Sequence, residues 1–539
     1  MSARVRPELL QRLVVLLVPV IVTAPRFWNG FVFDDLYVIV RGDFIHHLSN
    51  LPRVFETHAM AASSLEAAFG ETPIDTYRPI SIASFFWDSV LSGRAPWAYH
   101  LTNTVLHGLN CLLVLELLRR LCSRAPPVLC VGLTLCFGLA PWLAEAHVWI
   151  NGRSDLFLAL FTLCSALLQR AALTHSRFVW ALASAALSLL GLLSKESAVL
   201  MLPFVLLVPT GRAESLSQRA RFGVPHALVF ALYLVLRAHA LHGLRAHVGA
   251  AHTAAALSNL PLLWVDCVVH VLLPLPYFLR NLRDDYAAVG EASRIAAGFA
   301  LTATLVALSW AWRRGASTVA WGLGLALSTL APSVMITTEL WQGFGRFLYL
   351  PAIGLFVVVC DLMARADQLP LRSQKLLRGF VLLLAVVSSA LLIDGTLGFH
   401  DDLRLYRRAL AESPEQGWTY GSVGLTLKRD GDCYAAIPLL ARADAMAPRE
   451  PRYLNNLARC LIQVGDLASA RSAARAGQAR FHDTGSEASF LMDEFLTLSS
   501  DEARSELVLA RCLQLVPQHT DCLRALADVR ARQSGKGPN

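Results

Sequence analysis

Residues Trp97–Leu121, WAYHLTNTVLHGLNCLLVLELLRRL, decide how the rest of the chain is read. Their 25 residues, at about 1.5 Å of rise each, are long enough to cross a hydrocarbon layer about 30 Å thick. The stretch ends in Arg119 and Arg120, with Arg124 just beyond, and basic residues collect on the cytoplasmic side of a membrane. The composition agrees. Of 539 residues, 55% are hydrophobic and 16% charged, whereas a soluble domain carries about 25% charge. Mean hydropathy is +0.47. Hydrocarbon cannot solvate charge, so the deficit marks a polytopic membrane protein. The net charge of +8 sits largely in short Arg clusters between apolar segments. That pattern sets membrane orientation and is no nucleic-acid signature.

Toward the N-terminus, Leu9–Val22 is apolar, with Arg4, Arg6 and Arg12 before or just inside it. No small-residue cleavage site follows, and Trp28 and Phe31 continue the apolar character. An uncleaved first span is therefore expected, with its basic end inside. Residues of about 25–96 then form an outer loop. From Phe31 to Arg94 it holds eight acidic residues against four Lys or Arg, a balance that suits the outer side. Short interfacial helices are expected there, for example around Ser64–Phe69, with Trp87, Trp97 and Tyr99 at headgroup depth. Near its start stands Phe31-Val32-Phe33-Asp34-Asp35. Adjacent carboxylates at the mouth of a membrane domain can bind a metal or take a proton from an attacking hydroxyl. An Asp pair in a loop also serves as a solvated turn or a helix cap.

Toward the C-terminus, Val128–Ala144 is expected to return outward. The polar stretch Glu145–Asp155 (Glu145-Ala146-His147-Val148-Trp149-Ile150-Asn151-Gly152-Arg153-Ser154-Asp155) then forms a loop on the side of Asp34. Leu156–Leu173 goes back in. Phe178–Leu193 and Ala198–Val208 flank Ser194-Lys195-Glu196-Ser197. Further apolar stretches lie at Val224–Leu241, Leu260–Phe278, Ile295–Trp312, Val319–Ile336, Phe347–Met363 and Phe380–Leu397. Twelve segments would return the C-terminal part to the cytoplasm, and eleven would leave it outside. Leu260–Phe278, interrupted by Pro274 and Pro276, is the segment expected not to cross fully. This gives about eleven spans within residues 1–399.

After His400 the apolar runs stop, and Ala, Arg, Asp and Leu alternate at helical spacing. Gly431-Asp432 recurs 34 residues later as Gly465-Asp466, and Ala436 recurs as Ala470. Tyr420, Gly424, Leu427, Ala443 and Pro448 stand at tetratricopeptide positions, and a weaker third unit runs from about Ser486 to Pro517. Residues 400–530 are thus expected to form a tetratricopeptide-repeat α-solenoid with a groove suited to peptide, and 531–539 a disordered tail. The eleven cysteines are scattered without a CxxC pair, so neither zinc nor a disulfide framework is indicated.

Several of these stretches together resemble the transmembrane and tetratricopeptide-repeat O-mannosyltransferases, within the GT-C class of membrane glycosyltransferases. They are Phe31–Asp35, Thr76-Tyr77-Arg78-Pro79, His100-Leu101-Thr102-Asn103 followed by Leu106-His107, Glu145–Asp155, Ser194-Lys195-Glu196 and Arg346-Phe347-Leu348-Tyr349-Leu350-Pro351, in that order. Asp284-Asp285-Tyr286 resembles a further family stretch after a proline-rich segment. One departure stands out: Gly345 precedes Arg346 where the family pattern has Glu, with Glu339 nearby. The resemblance implies an all-α fold and transfer of a sugar, mannose in this family, from a polyprenyl or dolichyl phosphate to a Ser or Thr hydroxyl of a protein. It implies an active site on the periplasmic or lumenal side, in a bacterial inner membrane or the endoplasmic reticulum. Donor and acceptor are then the partners, with the repeats holding the acceptor. It names no cofactor and leaves a divalent metal open. Two other readings stand beside it: a lipid or polysaccharide glycosyltransferase whose repeats serve assembly, and a membrane scaffold without catalysis.

An inverting displacement needs a base for the hydroxyl and cations near the departing phosphate. Asp34 or Asp35 resembles the base. Arg78, Arg153, Lys195 and Arg346 are the phosphate candidates, because a guanidinium fork matches phosphate oxygens. Asp155 and Glu196 accompany them. Arg153 and Asp155 also suit a simple surface pair at a helix start. Lys195-Glu196 lies between apolar runs, where an idle charge is costly. Arg346 begins a span, where snorkelling alone accounts for a cation. His100 and His107 share a helix face but lack an evident third ligand, which favours a structural pair. Glu145 can position a substrate, and Asp285 joins the site if its loop is outer.

Overall fold

The computed structural model describes residues 7–59, 76–212, 214–243, 250–277, 279–338, 343–365, 371–498 and 502–533. Ser64–Phe69, Glu339 and the tail beyond 533 lie outside the described residues. Among the described residues every regular element is helical. The chain divides into two compact units, Met1–Asp401 and Asp402–Asn539.

Among the described residues of the first unit, seven helices are long and apolar enough to cross a membrane: Trp97–Leu121, Ile150–His175, Leu216–Ala240, Glu291–Arg313, Ser317–Thr337, Gly345–Arg365 and Gly379–Gly398. An eighth forms if Pro127–Gly138 and Pro141–His147, bent by 50°, count as one span. Beside them stand the 16-residue first helix Pro7–Val22, shorter than the full span expected there, and three shorter apolar helices, which separates this count from the twelve apolar segments of the sequence. Leu260–Leu272 is one of them. Leu273 is extended (φ −115°, ψ 139°) ahead of Pro274, which lacks a backbone donor, so the helix stops there. Around Ser194–Ser197 two full spans do not form. Phe178–Leu192 is followed by extended Lys195, a 3-10 turn over Glu196–Met201 and the five-residue helix Leu202–Leu206.

Backbone at membrane depth must find partners inside the protein wherever a helix breaks. Trp97–Leu121 supplies them from one face. Asn103 donates to the carbonyls of Trp149 (3.0 Å) and Ile150 (3.2 Å), and Asn110 to that of Leu156 (3.0 Å). His107 Nε2 meets the Gly138 carbonyl at 3.0 Å. His100 Nε2 meets that of Asn29 at 3.3 Å. The spacing of three or four residues puts these side chains on one helix face. The opening helical stretch is therefore a polar spine that ties down the breaks at 29, 138 and 149–156.

That spine explains two departures from expectation. Glu145–Asp155 is no exposed polar loop: it is two short turns, Ala144–His147 and Ile150–Gly152, leading into the helix Arg153–His175, and nearly every residue in it is buried. Tyr99 is no headgroup anchor either. It is fully buried and donates to the Gly93 carbonyl (2.9 Å), whereas Trp87 and Trp97 are exposed.

The second unit is a run of helices: Asp402–Glu412, Gly417–Arg429, Cys433–Met446, Pro451–Val464, Leu467–Arg480, Thr484–Leu496, Glu502–Leu515 and Thr520–Gln533. The last continues to 533, so residues 531–533 are helical and not tail. Gly431 (φ +91°) and Gly465 (φ +87°) make the tight turns inside successive pairs, a conformation that costs any side chain. Asp432 and Asp466 then cap the next helices by accepting from Ala435 and Ser469. Neighbouring pairs meet in register. Asn455 donates to Ser489 (3.0 Å) and Arg459 to Asp493 (3.0 Å), each contact spanning 34 residues. The expectation of no disulfides is corrected here. Cys433 pairs with Cys460 and Cys512 with Cys522. The partners sit 27 and 10 residues apart on different helices, so no CxxC spacing announces them.

Candidate active site

Phe31–Asp35 begins the site, and its two carboxylates are held differently. Asp35 is buried, and its oxygens accept from the backbone N–H groups of Val32 (3.3 Å) and Asn151 (3.1 Å). It therefore pins the Phe31–Asp35 segment to the turn before Arg153. Asp34 is half-buried. Between them and the apolar run, Phe33 adopts φ +53°, a left-handed conformation rare for an aromatic residue and found where a site over-determines its backbone. Phe33 stacks edge-on to Trp149 at 5.5 Å, and Trp149 Nε1 donates to the Val32 carbonyl (3.2 Å).

Trp149 carries the path onward. The Arg346 guanidinium lies over its ring at 4.6 Å and over that of Phe347 at 4.9 Å. Lys195 Nζ lies over the other neighbour of this set, Phe347, at 5.0 Å. Each cation also has a carboxylate: Arg346 has Glu145 (3.6 Å), Lys195 has Asp155 (2.6 Å) and Arg78 has Glu196 (3.0 Å). Arg78 and Arg346 are both electrostatic neighbours of Lys195. Six of the expected residues, drawn from four distant segments, thus form one cluster. Its Arg78–Glu196 end is the more open, with side chains 31% and 25% exposed.

The unusual Gly345 fits this arrangement. Glu145 is buried and accepts from the Gly345 N–H at 2.8 Å. A Cβ on Gly343 would lie 2.5 Å from Glu145 Oε1, and Gly343 has φ +102°. Small residues on both sides of the bend let the backbone rest on the carboxylate. The acid that partners Arg346 thus comes from the Glu145 turn. Glu339 lies outside the described residues.

Arg153 faces elsewhere. It is fully buried and ion-paired with Asp88. Its fork donates to Asn103 (2.7 Å), Ser84 (3.0 Å) and the Tyr99 carbonyl (2.8 Å), and packs over Phe85 at 4.6 Å. Asp155 pairs with Lys195 and not with Arg153. His100 and His107 bond to different carbonyls, and His107 stacks on His147 at 4.1 Å. Among the described residues the one His, Cys, Asp or Glu group arranged as metal ligands is Cys512, His519 and Cys522, whose cysteines are disulfide-bonded. Asp285 joins a second cluster. Arg280 bridges Asp285 (2.7 Å) and Asp266 (3.2 Å), Tyr286 donates to Asp266 (2.8 Å), and the Arg280 carbonyl accepts from Gly343 (2.8 Å).

Sequence reasoning missed Asp266, Arg280 and Arg26. Asp266 stands alone in an apolar helix, a signal in itself. Arg26 follows the first apolar run. It is buried, and its guanidinium meets the His147 carbonyl (2.9 Å) and Nδ1 (3.0 Å).

No family model matches the chain. Curated relatives do. The protein O-mannosyl-transferase TMTC3 of Mus musculus is 28% identical over 148 residues, 27% of this chain and 15% of that protein. TMTC4 of the same organism is 29% identical over 218 residues, 37% of this chain and 29% of that protein. Over these stretches the chain is similar to TMTC protein O-mannosyl-transferases. Tmtc1 of Drosophila melanogaster adds 28% identity over 196 residues, 34% of this chain and 21% of that protein. The chain thus matches less than a third of the length of these TMTC relatives.

Proposed function

We propose that this chain is a membrane glycosyltransferase that moves a sugar, mannose by the names of its relatives, from a polyprenyl or dolichyl phosphate to a Ser or Thr hydroxyl of a protein. The observation that carries the reading is the convergence of Arg78–Glu196, Lys195–Asp155 and Arg346–Glu145 next to Phe31–Asp35, with Trp149 between.

In this reading Asp34 takes the proton of the acceptor hydroxyl as its oxygen bonds to the anomeric carbon. The bond from that carbon to the phosphate oxygen breaks, and the phosphate leaves with the electron pair. Lys195, Arg78 and Arg346 stabilise the growing phosphate charge, while their carboxylates hold them in place. Such preorganised donors act strongly in a water-poor site. Asp35 fixes the segment bearing Asp34, and Arg153 bolts its helix to Asp88 and Asn103.

The repeat unit is read as a tetratricopeptide solenoid that holds the acceptor chain. Its two disulfides support a lumenal or periplasmic setting, since such bonds persist in oxidising compartments. The test is transfer of labelled mannose from long-chain polyprenyl phosphate to Ser- and Thr-containing peptides by the purified chain. Label on hydroxyls is the expected result. Label on lipid alone would favour a lipid glycosyltransferase, and no transfer the scaffold.

A further inference from the structure

Asp266 is the one acid of the apolar helix Leu260–Leu272. A carboxylate in such a place is costly unless it is paired. Its Oδ2 takes both the Tyr286 hydroxyl (2.8 Å) and the Arg280 guanidinium (3.2 Å). Arg280 turns its Nε to Asp285 (2.7 Å), so one guanidinium ties the Leu260–Leu272 helix to the short helix Leu282–Ala287. Arg294 closes the far side. It donates to the Tyr286 carbonyl and to Asn259 Oδ1 (3.2 Å), at the start of the same apolar helix. The result is a brace of two carboxylates, two arginines and a phenol.

Two contacts run from the brace to the bend that carries Arg346. The Arg280 carbonyl accepts from the Gly343 N–H at 2.8 Å. The His270 ring, one turn beyond Asp266, meets Phe344 edge-on at 6.2 Å, and its Nδ1 lies 2.8 Å from the Asp266 carbonyl. On its other side the bend rests on Glu145, which accepts from the Gly345 N–H (2.8 Å) and from the Tyr277 hydroxyl (3.5 Å). Gly343-Phe344-Gly345 is thus clamped between the brace and Glu145, and the next residue is Arg346.

We infer that Asp266, Arg280 and Tyr286 are positioning residues for sugar transfer: they fix the Gly343–Gly345 bend so that the Arg346 guanidinium stays aimed at the donor phosphate. The inference rests on the proposed function for the phosphate and adds what holds its cation in place. The need for a brace is geometric. A guanidinium fork matches phosphate oxygens in a defined plane, and a misplacement of about 1 Å can cost about 10² in rate. Arg346 stands on a four-residue 3-10 turn, Gly345–Leu348, directly after two glycines. Glycine gives the backbone more freedom than any other residue. The rigidity of this turn therefore comes from outside it, from Arg280 and His270 on one side and Glu145 on the other.

The test is a double-mutant cycle on the full purified chain in phospholipid nanodiscs, read by equilibrium binding of labelled long-chain polyprenyl phosphate. Asp266→Asn weakens the brace most. Tyr286→Phe removes one hydrogen bond, keeps the ring, and carries the cycle if the first variant does not fold. Binding should weaken about tenfold for Asp266→Asn and about threefold for Tyr286→Phe. In an Arg346→Gln background, itself about tenfold weaker, neither substitution should weaken binding further, because the group they position is gone. Arg346→Lys, which keeps a charge beside Glu145, replaces that background if it does not fold, and there the losses should shrink to less than half. Equal losses in both backgrounds mean a general structural role, and no loss in the parent background means that the brace does not reach the phosphate. Either result overturns the inference and leaves the transferase reading standing. Parent-like binding by the Arg346 variant alone would instead remove Arg346 from the phosphate site, and the inference with it.

Discussion

Arg153 and Lys195 are both buried cations in the same unit, and they differ in how completely the protein occupies them. An arginine fork has five N–H donors. At Arg153 each of its nitrogens has a protein partner, among them Asn103, Ser84, Tyr99 and Asp88. An ammonium has three donors. At Lys195, among the described residues, the hydrogen bond is to Asp155 alone, and an aromatic face covers part of the rest. A saturated cation is a structural bolt, whereas one with donors to spare, beside two other cations, can take a phosphate. The adjacent aspartates differ in burial, with Asp35 buried and bound to two backbone donors and Asp34 half-buried.

The largest effect should come from the aspartates. Asp34→Asn is expected to lower kcat for sugar transfer by the folded protein by about 10²–10⁴. Asp35→Asn should instead destabilise the protein by about 1–3 kcal/mol, because one of its two backbone donors then faces an amide NH2 in place of an acceptor. Paired transfer kinetics and melting curves check both. Reversed roles would break the contrast.

Arg153→Met comes next. It leaves Asp88 buried without its cation, so stability should fall by about 3–5 kcal/mol, with the donor KM of the folded fraction unchanged. A variant that melts like the parent yet loses donor affinity would place Arg153 in the binding site.

The smallest effect lies in the repeat unit, where Asp493 is buried against Arg459 and Asn455. Burial pushes its carboxyl from 3.8 up to about 6 despite the arginine. Between about pH 4 and 6 the folded state then holds more protons than the unfolded one, so stability falls as pH rises through that window. Hydrogen exchange in Thr484–Leu496 should show an opening free energy up to about 3 kcal/mol greater at low pH. Asp493→Asn should flatten that dependence. A rise of protection with pH in the parent would reverse the sign.

Much of this was legible in the residues. The helical class, the short Leu260–Leu272 helix before Pro274 and the 34-residue register all follow from local chemistry written in sequence. The six members of the ion-pair cluster were also singled out, Lys195 and Glu196 because a charge between apolar runs is rarely idle and the other four from the resemblance. The pairings were not legible. Nothing local says that Arg153 reaches Asp88 or that Glu145 serves Arg346, since both contacts close over distant segments. The burial of Glu145–Asp155 was hidden for the same reason: its polar groups are satisfied by the Asn103 and Asn110 spine from another helix. The disulfides escaped because facing helices, and not spacing, bring the thiols together.

The central claim is that Lys195 and its neighbours bind the donor phosphate, and equilibrium binding tests it most directly. Lys195→Met/Asp155→Leu removes the pair without leaving a lone buried charge. Binding of labelled long-chain polyprenyl phosphate to this variant should weaken at least about tenfold, the worth of one hydrogen bond to a charged group. Arg153→Lys, measured beside it on folded protein, should bind as the parent does. Parent-like affinity in the Lys195 variant would contradict the account.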